Sequence, residues 1–396
     1  LEQNVAHFYQ SIDGWFDFDD IYELALRRCG SKPARFVEIG AYKGRSACYM
    51  AERIRETAMD IQFEVVDTFM GGDDVGHDDL WPAFAANFER AGLLSRTTVH
   101  RCPSLDAARS FADGSLDFIF IDADHSFEAA EQDLSVWWPK LRGGGLMAGH
   151  DYTNSPSVRA AVDAFVAANG LQLAFRSTRA SWMIYRSMVI DATYCINLPH
   201  RADRRRQATA QFEKSGIHQR VIFFDATPGN GVERSGGLSD GQAGCCASHL
   251  NVLRAAKEAG YRQILVFEDD IVLAPDFPPR FTAALSRCPA SFDLCYVGAL
   301  CEAAWGNFLY PLDDLVSRIG SVCGTHAYII NMECQPAIEA GLARIQHVID
   351  DWYAREIQSR GNCYGFTPWL GFQAPGYSDV ARAYNANGGS AGYAWR

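Results

Sequence analysis

The chain has 396 residues, 48% of them hydrophobic and 21% charged, with a formal net charge of -12. That length fits two domains with separate cores, and 12% aromatics with ordinary charge excludes a disordered chain. The acidic balance argues against nucleic-acid binding, which needs a basic footprint, and no apolar run approaches the roughly 20 residues of a membrane span.

The opening LEQNVAHFYQ has no basic stretch followed by an apolar core, so no secretory leader reads from it, and the expected compartment is the cytoplasm. The 12 cysteines include no C-x-x-C pair, which argues against a zinc ribbon. Large domains do not need disulfide staples, so reduced thiols used as small apolar side chains are expected.

In chain order, ARFVEIG reads as a strand and RSACYMAERIRET as a helix. FEVVDTF, TTVHRC, LDFIFIDAD and GGLMAGHD read as further strands, and DDLWPAFAANFERAG, EAAEQDLSVWWPKL and SPSVRAAVDAFVAANG as helices. LQLAFRS and SWMIYRS close this half as a hairpin pair. Such alternation predicts parallel βαβ units. A second start follows near Ser187–Met188: DATYCINL, RVIFFDAT and QILVFEDDIVL as strands, RADRRRQATAQFEKSG and GCCASHLNVLRAAKEAG as helices. No Pro/Gly/Ser-rich linker separates the halves, so the domains read as 1–187 and 188–396. Low complexity is confined to the tail ANGGSAGYAWR.

EIGAYKGRS places Gly40 and Gly44 in the first strand–helix turn, where glycine permits a tight turn and close approach of backbone to a ligand. Glu38 ends that strand and can accept from an amine, and Asp67 ends the next, where a carboxylate can take both hydroxyls of a ribose. With DGSLDFIFIDADHSFEAAEQDLSVWWPKLRGGGLMAGHDY, these residues resemble the class I S-adenosylmethionine-dependent methyltransferases, across about residues 30–170. The resemblance implies a Rossmann-like α/β domain with Glu38, Gly40, Gly44, Ser46, Asp67 and Asp122 at the cofactor. It also implies a divalent metal, Mn²⁺ or Mg²⁺, on Asp122, His150 and Asp151, although relatives commonly carry Asp where His150 stands. A metal chelating two sugar hydroxyls would lower the pKa of one. His125 is the candidate base, with a surface histidine as the alternative. Asp73, Asp74, His77, Asp78 and Asp79 form either an acidic lid or a solvated run.

In the second half, FEDDI ends an apolar strand in clustered carboxylates, which is costly without a cation or donors. Glu268 and Asp270 are two apart and would share one side of an extended segment, with Asp269 opposite. YCINLPHRADRRRQ, GCCASH, LVFEDDI, GTHAYIIN and YGFTPWLGFQAPGYSDV occur in this order and together resemble glycosyltransferase family 25. The resemblance implies a GT-A-like α/β domain with a UDP-sugar donor. It places Asn197, Arg201, Asp203, Arg204, Ser248, His249 and Asp269 toward the nucleotide-sugar, Glu268 and Asp270 on a metal, and Asp350 or Asp351 as the base on the acceptor hydroxyl. Gln242 stands where Glu is common, and Leu253 near a frequent aromatic. The segment CEAAWGNFLYPLDDLVSRIG matches no motif and is expected to shape the acceptor site.

The combined expectation is an α/β enzyme of two domains that transfers a sugar and O-methylates a sugar hydroxyl. Its acceptor is a glycan or glycolipid, one that can lie at a membrane surface. Two alternatives stay open: one active domain beside a binding module, or tailoring of a small natural product.

Overall fold

The computed structural model describes residues 7–72, 76–175, 180–235, 237–300, 309–378 and 383–385. Asp73, Asp74, the first eight residues of the unassigned segment and the Gly-rich tail lie outside them. Chain contacts divide the protein into two compact units, Leu1–Ser187 and Met188–Arg396.

The first unit runs α1 (Asp19–Cys29), β1 (Ala34–Ile39), α2 (Arg45–Thr57), β2 (Ile61–Val66), α3 (Trp81–Ala91), β3 (Thr98–His100), α4 (Ser104–Ala107) and β4 (Leu116–Ile121). It continues through α5 (Phe127–Trp137), β5 (Leu141–Gly149), α6 (Pro156–Ala168), β6 (Leu173–Ala174) and β7 (Trp182–Tyr185). The sheet order is β3-β2-β1-β4-β5-β7-β6. β3 through β5 are parallel, and β7 runs antiparallel to both β5 and β6. The order reverses between β1 and β4, so connections leave in opposite directions there and open a crevice at the carboxyl ends of the strands.

Alternation along β4 explains the two-sided core. Phe118 and Phe120 join the cluster with Phe36, Tyr22 and Met50, while Ile119 and Ile121 join Val37, Trp137 and Val162 on the other face. Serine caps set two helix starts. Ser126 accepts from the Ala129 N–H and Ser155 from the Val158 N–H, both at 3.3 Å, and Pro156 pre-sets the first turn of α6.

The second unit runs β8 (Ala192–Asn197), α7 (Ala202–Lys214), β9 (Val221–Asp225), α8 (Asp240–Glu258), β10 (Gln263–Glu268), β11 (Ile271–Leu273), α9 (Phe277–Arg287), β12 (Leu294–Leu300), β13 (Leu309–Pro311), β14 (Val316–Ile319) and β15 (Cys323–Asn331). It ends with α10 (Gln335–Gly341), α11 (Ile349–Trp352), β16 (Cys363–Phe366), β17 (Gly371–Gln373), β18 (Gly376–Ser378) and β19 (Ala383–Asn385). Its main sheet is mixed, ordered β13-β14-β16-β12-β15-β10-β8-β9. β10 is parallel to β8 and antiparallel to β15. Its alternate residues feed two cores, Ile264 and Val266 on one face, Leu265 and Phe267 on the other.

The sequence reading starts the long helix at Gly244, but α8 begins at Asp240. Ser239 and Gln242 form a reciprocal capping box at 3.2 and 2.9 Å, satisfying two helix-end donors. A glutamate at position 242 would fill the same role, so the Gln there costs the fold nothing visible. Leu253 is fully buried in the core, where an aromatic ring would need more room. No helix of the described residues is long and apolar enough to cross a membrane.

Candidate active sites

At the end of β1, Glu38 is 1% exposed. Tyr22 Oη donates to its Oε2 at 2.9 Å and Ser46 Oγ to its Oε1 at 2.6 Å. Burial pushes its carboxyl up to about 8, even against these two hydrogen bonds. Glu38 and Ser46 are therefore joined to each other inside the protein, tying α1 and α2 to the end of β1, rather than presented to the crevice. The folded value lies above the ordinary 4.5, so the stability that a neutral Glu38 preserves is complete below about pH 4.5 and is lost as pH rises to about 8. At about 1.4 kcal/mol per pKa unit, the loss is on the order of 5 kcal/mol. Glu38→Gln is expected to flatten this fall. Melting temperatures from pH 5 to pH 9 check it, and an unchanged pH slope would contradict the assignment.

Asp67, just past β2, accepts from the N–H groups of Ala41 (2.7 Å) and Tyr42 (3.1 Å) through Oδ2, and of Phe69 (2.6 Å) through Oδ1. It pins the glycine turn to the neighbouring strand. Gly40 has φ +83°, and a Cβ there would lie 1.9 Å from the Asp122 carbonyl oxygen. Gly44 has φ +87°, and a Cβ there would meet the Phe88 and Phe84 rings at 2.8 and 2.9 Å. Both glycines are thus required by the protein's own packing, where the sequence suggested room for a ligand. Tyr42, Phe69 and Asp151, none of them glycine, have φ of +49°, +57° and +59°. All three stand in the loops at the carboxyl edge of the sheet, and such strain gathers where surrounding structure holds a site in shape.

Asp151 follows β5 and gathers two histidines. His125 Nε2 lies 3.0 Å from its Oδ2, and His150 Nδ1 lies 3.3 Å from the same oxygen. Asp122, past β4, is 3.8 Å from His125. Burial opposes ionisation of Asp151, but both histidines outweigh it and hold the carboxyl far below its usual range. Ligand atoms of Asp122, His125 and Asp151 all lie within 4.8 Å of one another, a spacing one divalent ion can bridge. His150, grouped with the two aspartates from sequence, stands differently. Its Nε2 faces Asp17 at 2.9 Å and its Nδ1 faces Asp151, so both nitrogens are already occupied. Burial disfavours its charge, yet the Asp151 hydrogen bond and the charges of Asp122, Asp151 and Asp17 push its pKa up to about 9. In the acidic loop, His77, Asp78 and Asp79 are exposed, and Asp79 accepts from the Trp81 N–H at 3.1 Å.

The second site gathers where β8 and β10 end side by side. Asp269 is 7% exposed. Asn197 Nδ2 donates to its Oδ2 at 2.7 Å and Arg204 Nη1 to its Oδ1 at 2.9 Å. Arg204 also lies 3.6 Å from Asp270 Oδ2. Asp270 Oδ1 is buried without a hydrogen-bond partner among the described residues. Burial and then the Glu268 charge push the Asp270 carboxyl up to about 7. Glu268 faces other partners. Thr325 Oγ1 donates to its Oε1 at 2.6 Å, and His249 Nε2 is 3.3 Å away. Burial would raise its pKa, but His249 and Thr325 hold it down to about 2.

The structure separates the remaining candidates. Asp350 accepts from the Gly324 N–H at 3.1 Å, and burial together with the Glu268 charge raises its pKa. Asp351 sits at the surface, paired at 3.0 Å with Arg355 one helical turn on. Arg201 chelates Asp203 through two 3.0 Å hydrogen bonds. Ser248 is buried, accepts from the Thr227 N–H at 2.8 Å and donates to the Gly244 carbonyl at 2.6 Å. It latches α8 to the loop after β9.

Residues 37–152 match the family model of a methyltransferase domain, and residues 190–308 match that of glycosyltransferase family 25 (LPS biosynthesis protein). The chain carries both domains, the methyltransferase first. Among curated relatives, the procollagen lysyl hydroxylase and glycosyltransferase of Acanthamoeba polyphaga mimivirus is 28% identical over 135 residues, covering 28% of this chain and 15% of that protein. The human inactive glycosyltransferase 25 family member 3 is 29% identical over 128 residues, covering 27% and 22%. The chain thus spans under a quarter of either relative. Solved structures similar to it include the O-methyltransferase NovP, 22% identical over 42% of this chain and 81% of that one, with a TM-score of 0.35. Another is CalS11, a TDP-rhamnose 3'-O-methyltransferase of calicheamicin biosynthesis, 16% identical over 42% and 79%, with a TM-score of 0.33.

Two methyltransferase-domain residues escaped the sequence reading, Asp17 and Tyr22. Asp17 acts on His150 133 residues away and Tyr22 on Glu38 in another element. The acidic, aromatic run SIDGWFDFDD was the available signal.

Proposed function

We propose that the protein is a bifunctional glycan-modifying enzyme. Residues 1–187 transfer a methyl group from S-adenosylmethionine to a sugar hydroxyl, and residues 188–396, in a GT-A arrangement, transfer a sugar from a UDP-sugar to an acceptor hydroxyl. The observation that carries this reading is that each unit ends its parallel strands in converging carboxylates, Asp122 with Asp151 and Asp269 with Asp270, three of which lie against cationic side chains. Both family matches support it.

In the methyltransferase site, the crevice between the ends of β1 and β4 takes the cofactor, with Asp67 facing the ribose across the braced turn. The acceptor hydroxyl gives its proton to the His125 imidazole, whose Nε2 is held by Asp151, as its oxygen bonds the methyl carbon and the sulfonium bond breaks, releasing S-adenosylhomocysteine. Asp151 stabilises the imidazolium that forms. The Asp122–His125–Asp151 trio also fits a divalent cation, which would polarise the hydroxyl directly. A cation held by all three would replace the His125–Asp151 pairing that the proton-accepting role needs, so the two uses exclude each other.

In the glycosyltransferase site, Arg204 and Asn197 fix the Asp269–Asp270 turn. The unpartnered Asp270 Oδ1 fits a divalent cation, which would neutralise the donor's diphosphate as UDP leaves. Asp350 takes the acceptor proton as the acceptor oxygen bonds the anomeric carbon with inversion.

A second reading keeps only the glycosyltransferase active. It is favoured by His150, whose two nitrogens are both held by carboxylates. The test is to assay UDP release and methyl transfer, with and without EDTA, on a panel of UDP-sugars and glycan acceptors. We expect UDP release to be lost in EDTA and restored by Mn²⁺. Methyl transfer that survives EDTA assigns the proton to His125, and methyl transfer lost in EDTA assigns the trio to a cation. Absence of S-adenosylmethionine binding would overturn the bifunctional reading.

A further inference from the structure

One side-chain cluster in the second unit is not used by either proposed transfer. Cys245 and His249 lie one turn apart on the same face of α8, and Glu268 ends β10 beside them. One ligand atom from each, a sulfur, a ring nitrogen and a carboxylate oxygen, lies within 4.8 Å of the others. His249 is 1% exposed, and Cys245 and Glu268 are half-buried.

We infer that Cys245, His249 and Glu268 form a binding site for a thiophilic divalent cation of the zinc class, separate from any cation at Asp270. The donor set selects the metal. A thiolate and an imidazole suit Zn²⁺, Co²⁺ or Fe²⁺, whereas Mg²⁺ and Ca²⁺ take oxygen ligands. The ligands are also oriented as metal ligands are. His249 Nδ1 faces Tyr328 Oη at 2.8 Å, so an Nδ1–H donated there leaves the Nε2 lone pair turned toward Glu268. Thr325 Oγ1 holds one Glu268 oxygen at 2.6 Å. Three protein ligands leave a fourth tetrahedral position for a water or a substrate oxygen. The site recruits Glu268 away from Asp270, which agrees with Glu268 lying against His249 and Thr325 rather than Arg204.

On binding, Cys245 loses its thiol proton to solvent and no electron is transferred. The inference does not rest on the sugar-transfer reading, because metal binding is measured without any substrate.

The test uses the full chain, stripped of metal and titrated with Co²⁺. We expect one equivalent to produce a thiolate-to-cobalt charge-transfer absorption. The Asp122–His125–Asp151 trio cannot give this band, because it has no sulfur. Cys245→Ser should abolish the band while metal-free melting stays unchanged. Tyr328→Phe keeps the ring but removes the partner of His249, and should weaken Co²⁺ binding by about 10–100-fold. No charge-transfer band in the wild-type chain, or a band undiminished in Cys245→Ser, would overturn the site. Should Cys245→Ser fail to fold, unchanged affinity in Tyr328→Phe overturns it as well.

Discussion

Asp270→Asn is expected to lower UDP release by roughly 10²–10³-fold, the cost of removing one preorganised charge partner of a leaving group. The same substitution should leave the melting temperature equal or higher. Asp270 is half-buried, its buried Oδ1 has no hydrogen-bond partner among the described residues, and Arg204 contacts it only at 3.6 Å. A buried carboxylate left so poorly paired costs stability unless a ligand completes it. Asparagine removes that charge at nearly the same volume. Activity that falls while stability holds marks a functional carboxylate. A parallel loss of both would instead make Asp270 part of the structural pairing with Arg204.

Asp151→Asn is expected to reduce methyl transfer by about 10²–10⁴-fold, the range associated with a proton-transfer group and its partner. Asparagine tolerates the left-handed backbone that Asp151 adopts at φ +59°, so the turn should survive. The substitution removes the oxygen that both His125 and His150 face. The pKa of His150 should therefore fall from about 9 toward its ordinary 6.5, which ring-proton NMR titration reads directly. In the wild-type chain that raised value means the stabilising charge on His150 is fully present below pH 6.5 and lost as pH rises through 9. The variant should lose this part of the pH dependence. A His150 pKa that stays near 9 would show that Asp17 and Asp122 suffice to hold it.

The order of strands and helices was legible in part because several strands run into a glycine or a carboxylate. ARFVEIG, FEVVDTF and LDFIFIDAD announce both the buried run and the edge where it stops. Side-chain direction was less legible. Glu38 and Asp67 occupy equivalent strand ends, yet one is buried between Tyr22 and Ser46 while the other braces backbone N–H groups. Asp350 and Asp351 are neighbours in sequence, and only the phase of α11 decides that the first reaches Gly324 and the second Arg355. Ser248 matched a motif but its hydroxyl is engaged by backbone, which no spacing reveals. The pairing of Glu268 and Asp270 assumed an extended segment. β10 ends at Glu268, and the turn that follows sends Asp270 toward Arg204 instead. Asp17 reached His150 through tertiary folding alone. In each case the residue type was readable and its partner was not, because the partner comes from a distant element.

The claim that one chain carries two separate transfer chemistries is tested most directly by product masses. The wild-type chain, Asp151→Asn and Asp270→Asn are each incubated with S-adenosylmethionine, a UDP-hexose, Mn²⁺ and the same glycan acceptors. The account predicts hexose and methyl increments with the wild-type chain, only hexose with Asp151→Asn, and only methyl with Asp270→Asn when acceptor is already glycosylated. A folded variant that loses both increments on that glycosylated acceptor, or a wild-type chain that adds only one, would contradict it.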